Sequence, residues 1–271
     1  MSECDHNCET CGESCASRDL TAKPLSSTKI GKIIAVMSGK GGVGKSMITD
    51  LLAVSFLRKG YKVAILDADI TGLSVPKAFG IEEKAYGNAD GTVIYPVETA
   101  QGIKMMSMNL LLPDEGDPVV WRGSLISGAV KQFYTDVEWG EVDYMFVDMP
   151  PGTGDVPLTV FQSLPIDGIV VVTTPQDLVS MIVEKAVKMA GMMNKKIYGI
   201  VENMSYLTCP HCGEKLYPYG KSKIEEVAAK HSLPVLGRLP IDPKLSELID
   251  GGNAEAAPDY LSAAAEVIIN S

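Results

Sequence analysis

The sequence predicts an α/β fold: a doubly wound, mainly parallel sheet with helices on both faces. Three observations predict it. Apolar, β-branched runs alternate with helical patterns from Lys32 onward. Several runs are nearly continuous, such as I-V-V-V at 169–172, as strands covered on both faces must be. A glycine-rich turn, S-G-K-G-G-V-G-K-S at 38–46, stands between the first run and the first helix, where such sheets bind phosphate.

The elements follow in order. Strands are expected at 32–37, 62–67, 103–107, 142–148, 168–174, 196–202 and 234–239. Helical patterns fall at 46–59, 124–136, 176–193, 221–231, 242–250 and 258–269. Alternation of this kind gives right-handed crossovers and places ligands at the carboxyl ends of the strands. Segments 80–101 and 108–123 are rich in turn formers and read as surface excursions. There is no internal repeat. Residues 1–28 read as a flexible, polar, cysteine-bearing tail, and 29–271 as one nucleotide-binding domain.

Composition narrows the function classes. At 271 residues and 46% hydrophobic content the chain can bury a substantial core. A formal charge of −10 argues against general nucleic-acid or anionic-membrane binding. No apolar stretch approaches the length of a membrane span, and the first residues have no apolar signal core. A cytoplasmic location is expected. In that reducing compartment six cysteines suggest metal or redox chemistry more than disulfides.

The turn at 38–46 contains G-x-x-x-x-G-K-[ST], built by Gly39, Gly44, Lys45 and Ser46. Gly39, Gly41, Gly42 and Gly44 let the backbone around Val43 turn tightly and aim its N–H groups at phosphate oxygens. Lys45 would meet the β- and γ-phosphates of ATP, and the Ser46 hydroxyl would ligate Mg²⁺. Lys40 is an additional cation that only one subgroup of such loops carries. Two acidic motifs follow. In L-D-A-D at 66–69, Asp67 and Asp69 occupy alternate positions at a strand end. One can hold a Mg²⁺-bound water and the other can orient the attacking water. In V-D-M-P-P-G-T-G-D at 147–155, Asp148 ends a strand, and Gly152 and Gly154 allow a loop that senses the γ-phosphate.

The cysteines form two groups. Cys209-Pro-His-Cys212 supplies two thiolates, which cannot complete a four-coordinate site alone. A second copy of the chain could supply the rest, or Cys8 and Cys11 could. The pair could also be a redox dithiol or two inert thiols. Cys4, Cys8, Cys11 and Cys15 lie within twelve residues, enough for one 4Fe–4S cluster or one zinc. His6 widens the zinc option; cysteine density points to a metal without choosing between them, and the segment is read as iron–sulfur ahead of zinc.

Together these motifs, with W-R-G at 121–123, V-E-N-M-S at 201–205 and G-R-L-P-I-D at 237–242, resemble the Mrp/ApbC family of iron–sulfur cluster carrier ATPases, within the MinD-like group. The resemblance covers about residues 30–252. It implies that Lys40 reaches the nucleotide of a partner subunit, that Asp69 positions the hydrolytic water and that Asp148 acts as a switch. It implies that Asn203 reads adenine, and that Cys209 and Cys212 bridge a labile 4Fe–4S cluster in a homodimer. Recipients would be apo iron–sulfur proteins. Met47 stands where the family usually has threonine. Two other functions compete: an ATP-gated iron–sulfur reductase, and a MinD-like spatial regulator. The regulator reading wants a basic amphipathic C-terminus, and residues 258–271 contain no lysine or arginine.

Overall fold

The structure, a computed structural model, describes residues 21–69, 74–112, 123–152, 154–175 and 179–271. Cys4, Cys8, Cys11 and Cys15, with Trp121 and Arg122, lie outside the described residues. The strands are β1 (Lys29–Ser38), β2 (Val63–Asp67), β3 (Tyr86–Gly87), β4 (Ile94–Tyr95), β5 (Val97–Glu98), β6 (Lys104–Met106), β7 (Glu141–Asp148), β8 (Gly168–Thr173), β9 (Lys196–Thr208), β10 (Lys215–Leu216) and β11 (Val235–Pro240). The helices are α1 (Lys45–Arg58), α2 (Val75–Ala78), α3 (Gly123–Thr135), α4 (Asp155–Ser163), α5 (Val179–Met192), α6 (Ile224–Lys230), α7 (Pro243–Asp250) and α8 (Ser262–Ile269).

The main sheet runs β10-β9-β8-β1-β7-β2-β6-β5, with β11 also paired to β9. Its central pairs are parallel, and antiparallel pairing is confined to β5–β6 and β9–β10. Alternation along β1 sorts the core into two layers. Ile33, Ala35 and Met37 join Phe133, Trp139, Phe161 and Val183 on one face. Ile34 and Val36 join Leu52, Phe56, Phe146 and Ile268 on the other. The Trp139 ring is fully buried, and its indole N–H donates to the Phe133 carbonyl at 3.0 Å, so no polar atom is orphaned there.

Helix α8 is part of this core. Ala264, Ala265 and Ile268 are buried in the layer that α1 also fills. Small residues let the two helices approach closely. Among the described residues no helix is long and apolar enough to cross a membrane.

The structure departs from the sequence expectations in four places. Strand β9 continues to Thr208, six residues past the expected 202. Helix α4 was not expected: the acidic motif at its start masks a helical pattern that places Pro157 in the first turn, where proline is tolerated. Short α2 lies where no element was expected, and β3, β4 and β5 lie inside the segment 80–101 expected to be irregular. Two residues expected in the tail, Ala22 and Thr28, are joined to the domain. Ala22 packs on the core and donates its N–H to the Ser163 carbonyl at 2.8 Å, and the Thr28 hydroxyl accepts the Trp139 N–H at 3.2 Å.

Candidate nucleotide and metal sites

Strand β1 ends at Ser38 in the middle of the sheet, so the 39–44 turn opens at its carboxyl edge. The Ser38 hydroxyl donates to the Lys40 carbonyl at 2.9 Å and ties the start of the turn. Gly44 has φ +77° and precedes α1 without a side-chain cap on the helix. The first N–H groups of α1 therefore remain as anion donors. Glycine is required at 44 for a second reason: a methyl group there would stand 2.3 Å from the Asn203 amide nitrogen. Gly41 and Gly42 face open space, and Gly39 lies against Ile182.

The floor beneath the turn is made by strand ends. Register places Asp67 beside Asp148 on adjacent strands β2 and β7. Lys45 points down between them. Its ammonium lies 2.6 Å from Asp148 Oδ1 and 3.4 Å from Asp69 Oδ2. The Ser46 hydroxyl donates to Asp148 Oδ2 at 2.6 Å, and the Thr49 hydroxyl donates to Oδ1 at 2.9 Å. Asp67 accepts the Asp69 N–H at 3.0 Å and the Ser107 hydroxyl at 2.8 Å. A cleft of about 330 Å³ opens above, bordered by Lys40, Lys45, Ser46, Met47, Asp50 and Asp69.

The charge balance on this floor is unequal. Four carboxylates, from Asp50, Asp67, Asp69 and Asp148, surround one lysine. Asp50 is buried, and its Oδ1 has no hydrogen-bond partner. Burial pushes its carboxyl well above the usual range, and Asp148 and Asp67 add to the effect. Burial likewise raises Asp67 from the ordinary 3.8 to about 7, with Asp148 contributing and the Ser107 hydrogen bond opposing. The donors are all hard oxygens, which fits Mg²⁺. Ser46, Asp148 and the unpartnered Asp50 oxygen are the groups that could hold such an ion or its waters.

A pH effect follows. Asp67 is an acid raised on folding, so the native state binds the extra proton between the unfolded value of 3.8 and the folded value of about 7. Stability contributed by that group is intact below this window and falls as pH rises through it. The nucleotide-free Asp67→Asn protein is therefore expected to gain thermal midpoint relative to wild type as pH is raised from about 4 to about 8. Differential scanning fluorimetry across that range checks it, and a constant difference contradicts it.

The cysteine pair sits elsewhere on the same edge of the sheet. Strand β9 leads straight into Cys209, and β10 returns antiparallel with Lys215 opposite Thr208. The turn is closed by Cys209 N–H to the Glu214 carbonyl and Gly213 N–H to the Cys209 carbonyl, both at 2.9 Å. Backbone N–H groups of Cys212 and His211 lower the Cys209 thiol below its usual value, which favours the thiolate. Cys212 is exposed and Cys209 half-buried. Among the described residues, no group of three or more Cys, His, Asp and Glu is placed to hold a metal.

With this geometry in hand, the sequence signature of the NUBPL iron-transfer P-loop NTPases, of the ParA group, matches residues 29–270. The chain belongs to this family. An iron-sulfur cluster carrier protein of Clostridium perfringens is 50% identical over 232 residues, covering 83% of this chain and 81% of that protein. A nucleotide-binding protein of Archaeoglobus fulgidus, solved in complex with ADP, superposes with a TM-score of 0.77 at 46% identity, over 85% of this chain and 90% of that one. The MinD cell division protein of Aquifex aeolicus shares the fold, with a TM-score of 0.63 at 21% identity over 89% of this chain and 98% of that one. The fold is thus the expected MinD-like P-loop NTPase sheet.

Residues anticipated from sequence converge at one edge: Lys45, Ser46, Asp67, Asp69 and Asp148 meet, and Lys40 and Met47 border the cleft above them. Val43 is buried beneath the turn. Asn203, expected at adenine, is fully buried and donates its amide to the Val43 carbonyl at 2.9 Å, which gives it a bracing contact in this conformation. Sequence reasoning missed Asp50, Thr49 and Ser107. Asp50 carried one readable signal, since it lies one turn after Ser46 and directly before the apolar run Leu51–Val54. Also missed was Glu202, fully buried, which accepts the Ser205 and Ser222 hydroxyls at 2.6 Å each.

Proposed function

We propose that this chain is an ATP-dependent iron–sulfur cluster carrier that binds a 4Fe–4S cluster and hands it to apo-proteins. The observation that carries the reading is the joint presence, on one sheet edge, of a complete phosphate site and an exposed two-cysteine hairpin with a lowered thiol. Iron-transfer family membership and the carrier names of its relatives support it. Cargo exchange wants exposed ligands, and Cys212 is exposed.

The residues divide the work. Lys45 exchanges Asp148 for the β- and γ-phosphates of ATP. Asp148 thereby loses its cation and keeps the Ser46 and Thr49 hydroxyls. Mg²⁺, when bound, would neutralise developing charge on the phosphate oxygens. Asp69 lies at the mouth of the floor, where it can orient the attacking water. Turnover is slow, because no arginine finger is evident in the sequence and Lys40 is assigned to the partner's nucleotide. Two thiolates per chain need two more, so the cluster bridges a homodimer. Cys4, Cys8, Cys11 and Cys15 are assigned a second iron–sulfur or zinc centre. The setting is cytoplasmic.

Anaerobic reconstitution tests the bridge. Light scattering should show dimer rising in step with iron and sulfide bound to protein whose four tail cysteines are serine. A monomer carrying a full cluster would refute it.

A further inference from the structure

We propose that Asn203 is a positioning residue that latches the phosphate-binding turn to the cysteine hairpin, so that the nucleotide and cluster sites sense one another through strand β9. This rests on the carrier reading and names the path by which its two sites are coupled.

The path is short and continuous. At one end, Asn203 is fully buried under the turn. Its amide donates to the Val43 carbonyl at 2.9 Å and presses against the bare Cα of Gly44. Its side-chain oxygen accepts the Met204 N–H at 2.9 Å. One planar amide thus grips the turn with one atom and its own strand with the other. At the far end, β9 runs through Thr208 into Cys209, with only residues 204–208 between.

The junction has a built-in corner. Met204 has φ +55°, a left-handed conformation that strains a residue bearing a Cβ. It persists because both sides are held. Inward, the Asn203 oxygen fixes the Met204 N–H. Outward, the Tyr206 carbonyl accepts the Ile241 N–H at 2.7 Å, and the Lys215 ammonium sits 4.0 Å from the Tyr206 ring centre. Ser205 is pinned by Glu202 at 2.6 Å. Beyond Tyr206 the hairpin is joined to the domain through β9 and its short partner β10. A change in the Val43–Gly44 backbone when phosphate binds must therefore either drag Asn203 or break its bond. In both cases the amide that fixes the Met204 N–H is displaced or freed to turn, the corner is disturbed, and the hairpin follows.

The two states are latch made and latch broken. A nucleotide that prefers one shifts the other site, and the effect is reciprocal. The test uses full-length protein with Cys4, Cys8, Cys11 and Cys15 replaced by serine, so that all iron reports on the hairpin. The readout is the rate at which a ferrous chelator strips the cluster, with and without ATP at a concentration saturating for each variant. The unlatched comparison is Asn203→Asp, which keeps the acceptor for Met204 but lacks the donor for Val43. The second is Met204→Gly, which relaxes the corner and touches no part of either site.

Wild-type hairpin protein is expected to show an ATP effect of about fivefold or more, which Asn203→Asp reduces to within about twofold of unity and Met204→Gly diminishes. A merely structural role for Asn203 would change both rates together and leave their ratio intact. If both variants keep the full ratio, or if Asn203→Asp does not fold and Met204→Gly keeps it, the latch is wrong. A ratio of one in the unmutated hairpin protein instead overturns ATP-gated carriage itself, and the latch with it.

Discussion

Lys45→Ala should lower ATP affinity by at least about 100-fold, measured by calorimetry. The expected loss is large because two effects add. The variant removes the cation that meets the phosphates. It also takes the ammonium away from Asp148, which is fully buried, and from Asp69 beside it. Removing one partner of a buried ion pair costs about 3–5 kcal/mol. For a chain of this size that is roughly 5–9 °C in thermal midpoint. The two effects separate in the double variant Lys45→Ala/Asp148→Asn. A neutral amide at 148 should restore most of the midpoint while binding stays lost. Recovery of binding in the double variant would mean that the lysine acts by neutralising Asp148, and not by contacting phosphate.

Cys209→Ser should empty the hairpin. In protein whose tail cysteines are serine, iron and sulfide per chain should fall at least about tenfold, because a serine hydroxyl does not ionise as the Cys209 thiol does. The hairpin fold itself should survive. Its closing bonds are backbone bonds, from Cys209 N–H to the Glu214 carbonyl and from Gly213 N–H to the Cys209 carbonyl. Loss of metal with an unchanged thermal midpoint of the nucleotide domain is the expected pair of results. Unchanged iron and sulfide would assign the cargo to other ligands.

Much of this molecule was legible before its structure. The strand that ends at Ser38, the glycine turn and the helix that starts at Lys45 follow from periodicity and turn chemistry alone. So do Asp67 and Asp148, since each closes an apolar run. What escaped in β9 has one cause: polar residues whose partners lie elsewhere in the sequence. The outer half of β9 breaks the apolar pattern at Glu202, Asn203 and Ser205, so the strand reads as ending there. It continues because Glu202 finds Ser222, and Asn203 finds Val43, 160 positions away. Asp50 was hidden for the opposite reason. It sits in a run of core residues on α1, and only three-dimensional packing shows that a carboxyl faces the cleft floor without a partner.

The inverse relation between the two sites is also a matter of packing. The floor of the nucleotide cleft is rigid and buried, with Asp148 and Lys45 locked by short bonds. The cysteine hairpin is exposed and held at its base. Nucleotide chemistry needs fixed geometry, and cargo exchange needs access, so the fold assigns one to strand ends and the other to a projecting turn.

The most direct test of carriage is cluster transfer. The loaded protein is mixed anaerobically with an excess of an apo 4Fe–4S enzyme, and recovered enzyme activity is followed with and without Mg²⁺-ATP in the presence of a chelator that traps free iron. Carriage predicts activation that the chelator does not suppress, that ATP changes in rate, and that Cys209→Ser abolishes. Activation that vanishes with the chelator, or that survives in Cys209→Ser, would contradict it.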